Sequence, residues 1–254
     1  MMSIVRSWRG PSAFALIALP MAVVSIAPQA TGQIYQPTIV TANLNTDTGI
    51  GANEVNMVNG NGLIGDTLPT GSTVAAAMAT THAFGGSFID SYVSVGAPPD
   101  YFAANGPVSA VLDLGADVEV GSVILWQYEN NGGNGTNVGN HAKTIELQFN
   151  TDAEGSASFG GAVTTIEMAP VLDPGNTGTV PNGAQAFAVG GGNSYRYVQM
   201  TITDNHFESP DVTGGGDRIG VGEIRFAREA VPEPASVFLV YLASLAILAI
   251  RKRR

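Results

Sequence analysis

TIELQF at residues 144–149 alternates polar and apolar side chains, so that Ile145, Leu147 and Phe149 share one face. The same period of two recurs in YRYVQMTI at residues 195–202. Alternation of this kind is typical of a β-strand that buries one face and leaves the other in water. These two stretches decide the fold class, because they predict a sheet with one buried side.

Similar runs recur on both sides of these two, rich in Val, Ile, Thr and aromatic residues and separated by clusters of Gly, Asn, Asp and Pro. They predict strong strands at residues 108–114, 120–128, 144–149, 195–203 and 219–226. Weaker strands are predicted at 34–40, 88–95, 163–168 and 185–189. The one helical candidate, residues 74–78, is too short to organise a helical domain. Many short strands without βαβ alternation predict an all-β, antiparallel sandwich.

One core is expected to hold this sandwich together across residues 33–229, a length that suffices for a single domain. Strand propensity and alternation select its members. The predicted core residues are Val111, Leu114, Ile124, Ile145, Leu147, Val198, Ile202, Ile224 and Phe226.

The composition excludes several kinds of partner. The chain has a net charge of −10 and no cysteine. Between residues 33 and 229 its cations are Lys143, Arg196, Arg218, Arg225 and Arg228. So acidic a domain repels nucleic acid and anionic lipid surfaces. The lack of cysteine excludes disulfides, thiolate zinc sites and a cysteine nucleophile.

The N-terminus has the pattern of a secretory signal peptide. Arg6 and Arg9 form a positive region, residues 13–27 are apolar, and Ala30-Thr31-Gly32 offers small residues for cleavage. This arrangement predicts a signal peptide at residues 1–32 and therefore export.

The C-terminus has three parts: a proline pair, an uncharged stretch at 235–250, and a basic end at 251–254. The proline pair lies in the motif Val231-Pro232-Glu233-Pro234. This tail resembles the PEP-CTERM sorting signal of exported Gram-negative bacterial proteins. The resemblance implies a tail at 230–254 that an exosortase-type enzyme processes, with the membrane contacted through this tail alone. An ordinary C-terminal membrane helix is the alternative, although the apolar stretch is short for one.

A second resemblance covers the middle of the chain. VLDLG at 111–115, followed by VGSVILW at 120–126, is similar to the core of discoidin-type domains, also called coagulation-factor type C or galactose-binding-like domains. The loop at 52–62 precedes these pieces, and residues 142–152, 196–200 and 222–226 follow them in the order of the family. The resemblance implies an eight-stranded jelly-roll sandwich.

Departures from the family pattern limit what the resemblance implies about ligands. No tryptophan occurs between residues 61 and 87, where the family usually has one. Asn59 stands where the family usually has an aspartate, and the disulfide between the first and last strands is absent. No sugar-binding set of the family aligns with this chain.

A calcium site is implied by the same resemblance. Family members that bind calcium commonly join the early loop to the glutamate of the last strand, and the matching residues here are Asn59, Asn61 and Glu223. Calcium takes oxygen ligands of these types. A carboxylate at Glu223, in a strand near the core, needs a cation or hydrogen-bond donors. Pairing with Arg196 or Arg225 is the alternative.

Candidate ligand contacts lie in loops that combine aromatic and amide side chains. They are Trp126, Tyr128, Asn130, His206 and Phe207. Such groups suit stacking on sugar rings and hydrogen bonding to hydroxyls. Trp126 and Tyr128 share a face of one strand, so either could belong to the core instead.

Three functions remain open from the sequence. The first is an exported, non-catalytic protein of the cell surface or extracellular matrix that binds polysaccharide through sandwich loops. The second is a purely structural, calcium-binding matrix protein. The third is a secreted hydrolase acting on glycans, although no catalytic constellation such as Gly-x-Ser-x-Gly is present.

Overall fold

The structure is a computed structural model that describes residues 32–83, 90–128, 137–172, 182–190, 193–210, 212 and 214–228. The expected signal peptide and the sorting motif Val231-Pro232-Glu233-Pro234 lie outside the described residues, and so does Asn130. The proposed domain boundaries therefore stay a prediction. Among the described residues, no helix is both long enough and apolar enough to cross a membrane.

Thirteen strands are described, most of them short. They are β1 (Ile34–Tyr35), β2 (Thr38–Asn43), β3 (Leu63–Ile64), β4 (Thr81–His82), β5 (Tyr92–Val93), β6 (Val108–Glu119), β7 (Ser122–Gln127), β8 (Ala142–Asn150), β9 (Thr164–Glu167), β10 (Asn182–Gly183), β11 (Gln185–Ala188), β12 (Ser194–Asn205) and β13 (Gly220–Ala227). The described α-helices are α1 (Val74–Ala79) and α2 (Tyr101–Asn105), and 3-10 turns span Thr48–Ile50, Glu54–Met57 and Val138–Asn140.

The strands form two large sheets and one small one. The front sheet has the order β2-β6-β12-β8-β9, and the inner sheet has the order β1-β13-β7-β11 with β5 also paired to β13. The small sheet is β10-β4-β3. Every paired strand runs antiparallel to its neighbour. This confirms the antiparallel jelly-roll sandwich expected from the sequence.

The main core fills the space between the front and inner sheets. Leu112, Met200 and Leu147 from the front sheet meet Leu125 and Phe226 from the inner sheet. All nine predicted core residues are buried. Val111, however, lies outside the apolar clusters, because it alternates with Ala110 and Leu112 and so faces away from the core.

A second apolar layer covers the other side of the inner sheet. The sequence predicted a single core and gave no sign of this layer. Residues 58–83, here called the covering segment, pack Leu68 and Val74 against Ile124 and Trp126. All six residues of β7 are buried as a result. A strand buried on both faces reads as a continuous apolar run rather than as alternation, and the sequence VILW within β7 fits that pattern.

Candidate functional site

One end of the sandwich holds an open cavity of about 460 Å³, here called the end pocket. Three separate segments converge there: the start of α2, the start of β8 and the turn that follows β12. Its lining residues are Asp100, Phe102, Lys143, Asp204, Asn205, Phe207, Glu208, Ser209 and Pro210. The pocket therefore combines two aromatic rings, three carboxylates and one ammonium group.

The turn after β12 is held by a buried asparagine. The side chain of Asn205 accepts a hydrogen bond from the backbone N–H of Phe207 at 3.1 Å and donates to the backbone oxygens of Gly216 and Arg218 at 3.2 and 3.0 Å. Glu208 then adopts a left-handed conformation with φ of 63°. That conformation is uncommon outside glycine and asparagine, so the turn holds Glu208 in an unfavourable backbone geometry at the pocket.

Phe207 lies directly on the backbone of Gly216. A Cβ atom at Gly216 would come within 2.2 Å of the Phe207 ring, so only glycine permits this contact. The loop that contains Gly216 is held by Asn140. The side-chain oxygen of Asn140 accepts hydrogen bonds from the backbone N–H groups of Gly216 and Arg218 at 2.5 and 3.2 Å. Phe207 belongs to none of the apolar clusters. Its ring lines the pocket instead.

The opposite wall is built by α2. The Asp100 side chain accepts hydrogen bonds from the backbone N–H groups of Phe102 and Ala103 at 2.9 and 3.3 Å, which caps the helix. Such a cap satisfies donors that the first turn leaves unpaired. Tyr101 donates its backbone N–H to the Gly216 oxygen at 2.8 Å. The helix and the Phe207 turn are thus tied to the same glycine.

The pocket carries more negative than positive charge. Lys143 pairs with Asp204 at 2.7 Å, and hydrogen bonding to Asp204 raises the pKa of the Lys143 ammonium. Both side chains are more than a third exposed, so the pair adds little stability. Asp100 and Glu208 leave a net negative charge, which disfavours anionic ligands.

Two histidines lie beneath the pocket rather than in it. His206 is buried, with Nε2 at 2.9 Å from the Met168 oxygen and Nδ1 at 3.2 Å from the Ser209 hydroxyl. The pocket lining does not include His206, so its contact with a ligand stays a prediction without geometric support, whereas its neighbour Phe207 does line the pocket. Burial lowers the pKa of His206. At His141, burial and then the nearby His206 lower the pKa to about 3.

Acid is expected to destabilise the fold through His141. The imidazole is neutral when folded but takes a proton below pH 6.5 when unfolded, so the folded state binds fewer protons and stability falls as the pH drops. Between pH 7 and pH 5 this group costs about 2 kcal/mol. Urea unfolding of wild type and His141→Gln at both pH values measures it. Equal losses in the two proteins would contradict the assignment.

Trp126 and Tyr128 are also buried and belong to apolar clusters, so the geometry favours the core alternative, and their role as ligand contacts stays a prediction without geometric support. Trp126 is 0 % exposed and donates its indole N–H to the Thr80 oxygen at 3.0 Å. Tyr128 is 1 % exposed and meets the His141 ring edge-on. Both residues lie on the outer face of the inner sheet, which other segments cover.

Glu223 and Arg225 form a buried ion pair on that same face, and both side chains are 0 % exposed. Gly60 donates its backbone N–H to the Glu223 carboxylate at 2.9 Å. Burial raises the pKa of Glu223 to about 7, against the opposing effect of Arg225. The carboxylate thus has both a cation and a hydrogen-bond donor within the protein.

Arg225 fastens the covering segment to the inner sheet. Its guanidinium donates to the backbone oxygens of Val58, Thr67 and Leu68 at 3.1, 2.9 and 2.8 Å. A Cβ atom at Gly60, whose φ is 79°, would lie 2.4 Å from the Thr67 oxygen. Only glycine therefore allows the loop to close over the ion pair.

The proposed calcium ligands do not fit an ion as they are arranged. Arg225 already occupies the cationic position beside Glu223. Asn59 uses its side-chain oxygen to accept from the Asn61 backbone N–H at 2.9 Å. Within the described residues, no group of three or more His, Asp or Glu side chains could hold a metal ion. Calcium binding by Asn59, Asn61 and Glu223 stays a prediction without geometric support.

Sequence reasoning missed most of the pocket. Asp100, Phe102 and Lys143 come from segments that nothing in the sequence connects to the turn at 204–208. The DYF sequence at 100–102 carries a helix-capping signal and an aromatic pair, which could have marked that segment as ordered.

No protein-family model and no curated protein matches this chain. Solved structures do. A fragment of a putative chitobiase from Bacteroides thetaiotaomicron is 14% identical, with a TM-score of 0.41, and the match covers 83% of this chain and 99% of the fragment. CBM32-3, from a family 31 glycoside hydrolase of Clostridium perfringens, is 12% identical, covering 75% of this chain and 90% of the other at a TM-score of 0.40.

An F5/8 type C domain from Bacteroides fragilis is also similar, at 12% identity and a TM-score of 0.37. The match covers 56% of this chain and 74% of that domain. At these TM-scores the likeness does not bear on what this chain binds.

Proposed function

We propose that this chain is a non-catalytic saccharide-binding protein and that the end pocket is its binding site. The observation that carries the proposal is the position of Phe207: a partly buried ring that no apolar cluster uses and that lines an open cavity beside charged groups. An aromatic ring supplies a large apolar face at low entropic cost. Carboxylates and an ammonium group supply acceptors and donors for hydroxyl groups.

The charge of the pocket selects the kind of saccharide. Asp100, Asp204 and Glu208 outnumber Lys143, so uronic acids and sulfated sugars meet repulsion. Neutral or amino sugars fit better, because their hydroxyl and ammonium groups can donate to the carboxylates. The cavity volume of about 460 Å³ lies within the range of small-ligand pockets, about 300–1,000 Å³.

Replacing Phe207 with alanine is expected to weaken saccharide binding about 30-fold, the effect of removing a central aromatic anchor worth roughly 2 kcal/mol. Calorimetric titration with galactose, N-acetylglucosamine, glucosamine and glucuronate measures it, and glucuronate should bind most weakly. Val55→Ala, an exposed apolar residue away from the pocket, is the matched control. Unchanged affinity in Phe207→Ala, or no binding of any of these sugars to the wild type, would contradict the proposal.

Export and processing complete the proposal. The signal-like residues 1–32 and the VPEP tail at 230–254 support transport to the cell envelope or extracellular matrix, with an exosortase-type enzyme acting on the tail. A polysaccharide of that compartment is the natural ligand of such a protein. The absence of a catalytic constellation in the sequence supports a binding role over hydrolysis.

A further inference from the structure

A second cavity lies on the outer face of the front sheet, away from the end pocket. It has a volume of about 350 Å³ and is here called the face groove. Its lining residues are Thr41, Ala42, Asn43, Ser109, Ala110, Val111, Ser156, Ala157, Ser158, Phe159 and Gln199. None of these side chains is ionisable, in contrast to the charged lining of the end pocket.

Two rows of side chains cross the sheet to form the floor. Thr41, Val111 and Gln199 lie side by side on β2, β6 and β12, and Asn43 lies beside Ser109 in the next row. Val111 is only 8% exposed although it faces away from the main core. The floor thus has an apolar centre with amide and hydroxyl groups around it.

The wall of the face groove is the connection between β8 and β9, held in place by two side chains. Asn150, which is buried, donates to the backbone oxygens of Gly155 and Ser158, each at 2.8 Å. Gln148 donates to the Gly161 oxygen at 3.0 Å. A wall fixed before the ligand arrives lowers the entropic cost of binding.

Phe159 lies in this connection between β8 and β9 and belongs to none of the apolar clusters. It is partly buried and lines the groove. The polar side chains of the lining make no hydrogen bond with any described residue; they are Thr41, Asn43, Ser109, Ser156, Ser158 and Gln199. Their donors and acceptors can therefore exchange water for the hydroxyl groups of a ligand.

We propose that the face groove is a second binding site, which takes an internal stretch of an uncharged polysaccharide chain. An open groove with an aromatic wall and neutral hydroxyl and amide groups matches a ligand that carries many hydroxyls and no charge. An extended peptide cannot add as a new strand along most of the floor, because β6 and β12 are central strands whose backbone groups are already paired, and of the three floor strands β2 alone lies at an edge of the sheet. The site goes beyond the proposed function, since it is separate from the end pocket and differs from it in charge.

Affinity electrophoresis of the full chain, in gels containing dextran, xylan, galactan or polygalacturonate, tests this proposal. We expect at least one neutral polymer to retard the wild type, and polygalacturonate not to do so. Phe159→Ala and Gln199→Ala should each weaken that retardation about tenfold. Val163→Ala removes an exposed apolar side chain from the same connection but outside the groove, so it should migrate like wild type.

The two sites are told apart by their ligands. Loss of simple-sugar binding in Phe207→Ala reports on the end pocket, whereas loss of polymer retardation in Phe159→Ala reports on the face groove. Retardation that Phe159→Ala and Gln199→Ala both retain overturns the proposal, and so does a wild type that no neutral polymer retards. Neither result changes the outcome of the simple-sugar titration, so the proposed function stands or fails separately.

Discussion

Replacing Arg225 with methionine is expected to lower the free energy of unfolding by about 3–5 kcal/mol, the usual cost of breaking a buried ion pair from one side. The substitution leaves the Glu223 carboxylate buried without its cation. It also removes the donor to the Val58, Thr67 and Leu68 oxygens, so the covering segment loses three of its hydrogen bonds to the inner sheet. Urea unfolding at neutral pH measures the change.

Two further variants separate charge from geometry. Arg225→Lys keeps the positive charge but cannot span several acceptors as a planar guanidinium does, so an intermediate loss is expected. The double variant Glu223→Gln with Arg225→Met removes the uncompensated charge and should recover part of the stability of Arg225→Met alone. If Arg225→Met unfolds like wild type, the ion pair does not fasten the covering segment.

Replacing Trp126 with alanine should cost about 3–5 kcal/mol, as expected when a fully buried aromatic side chain is removed from a packed layer. Trp126 is 0 % exposed and packs with Leu68 and Val74 under the covering segment. Trp126→Phe keeps most of the apolar area but leaves the Thr80 oxygen without its donor, which costs about 1–3 kcal/mol.

Phe207→Ala is the matched comparison, because Phe207 is aromatic as well but lies outside every apolar cluster. Its effect on stability should be well below that of Trp126→Ala, while its effect on saccharide binding should be larger. The reverse pattern, a stable Trp126→Ala that no longer binds sugar, would restore Trp126 as a ligand contact.

The strands could be predicted because their signal is local. Alternation at 144–149 and 195–202 marked β8 and β12, and both strands bury Ile145, Leu147, Val198 and Ile202 as expected. The weak run at 34–40 proved to be two strands, β1 and β2, which join different sheets. Which sheet a strand joins depends on pairing with strands far away in the sequence, and the local residue pattern does not reveal that pairing.

The functional residues were harder to predict, because exposure is decided by segments far away in the chain. From the sequence, Trp126 could be a ligand contact or a core residue, because no local signal reveals the covering segment, rich in Gly, Ala and Thr, that lies over it. A composition rich in Gly, Ala and Thr does not predict a second apolar layer. Phe207 is a candidate from the sequence and lines the end pocket, yet Asp100, Phe102 and Lys143 meet it there only because the fold brings their segments together.

The pairing of β1 with β13 fixes how this domain can be tethered. Ile34 lies opposite Ala227, and Arg228 donates its backbone N–H to the Gln33 oxygen at 3.0 Å, so both ends of the described domain leave from one corner. Gly220, at the other end of β13, bridges to His141 beneath the end pocket. The eight residues of β13 separate this corner from the end pocket by about 25 Å. A stalk attached at either end would therefore display the pocket on the far side, pointing away from its anchor.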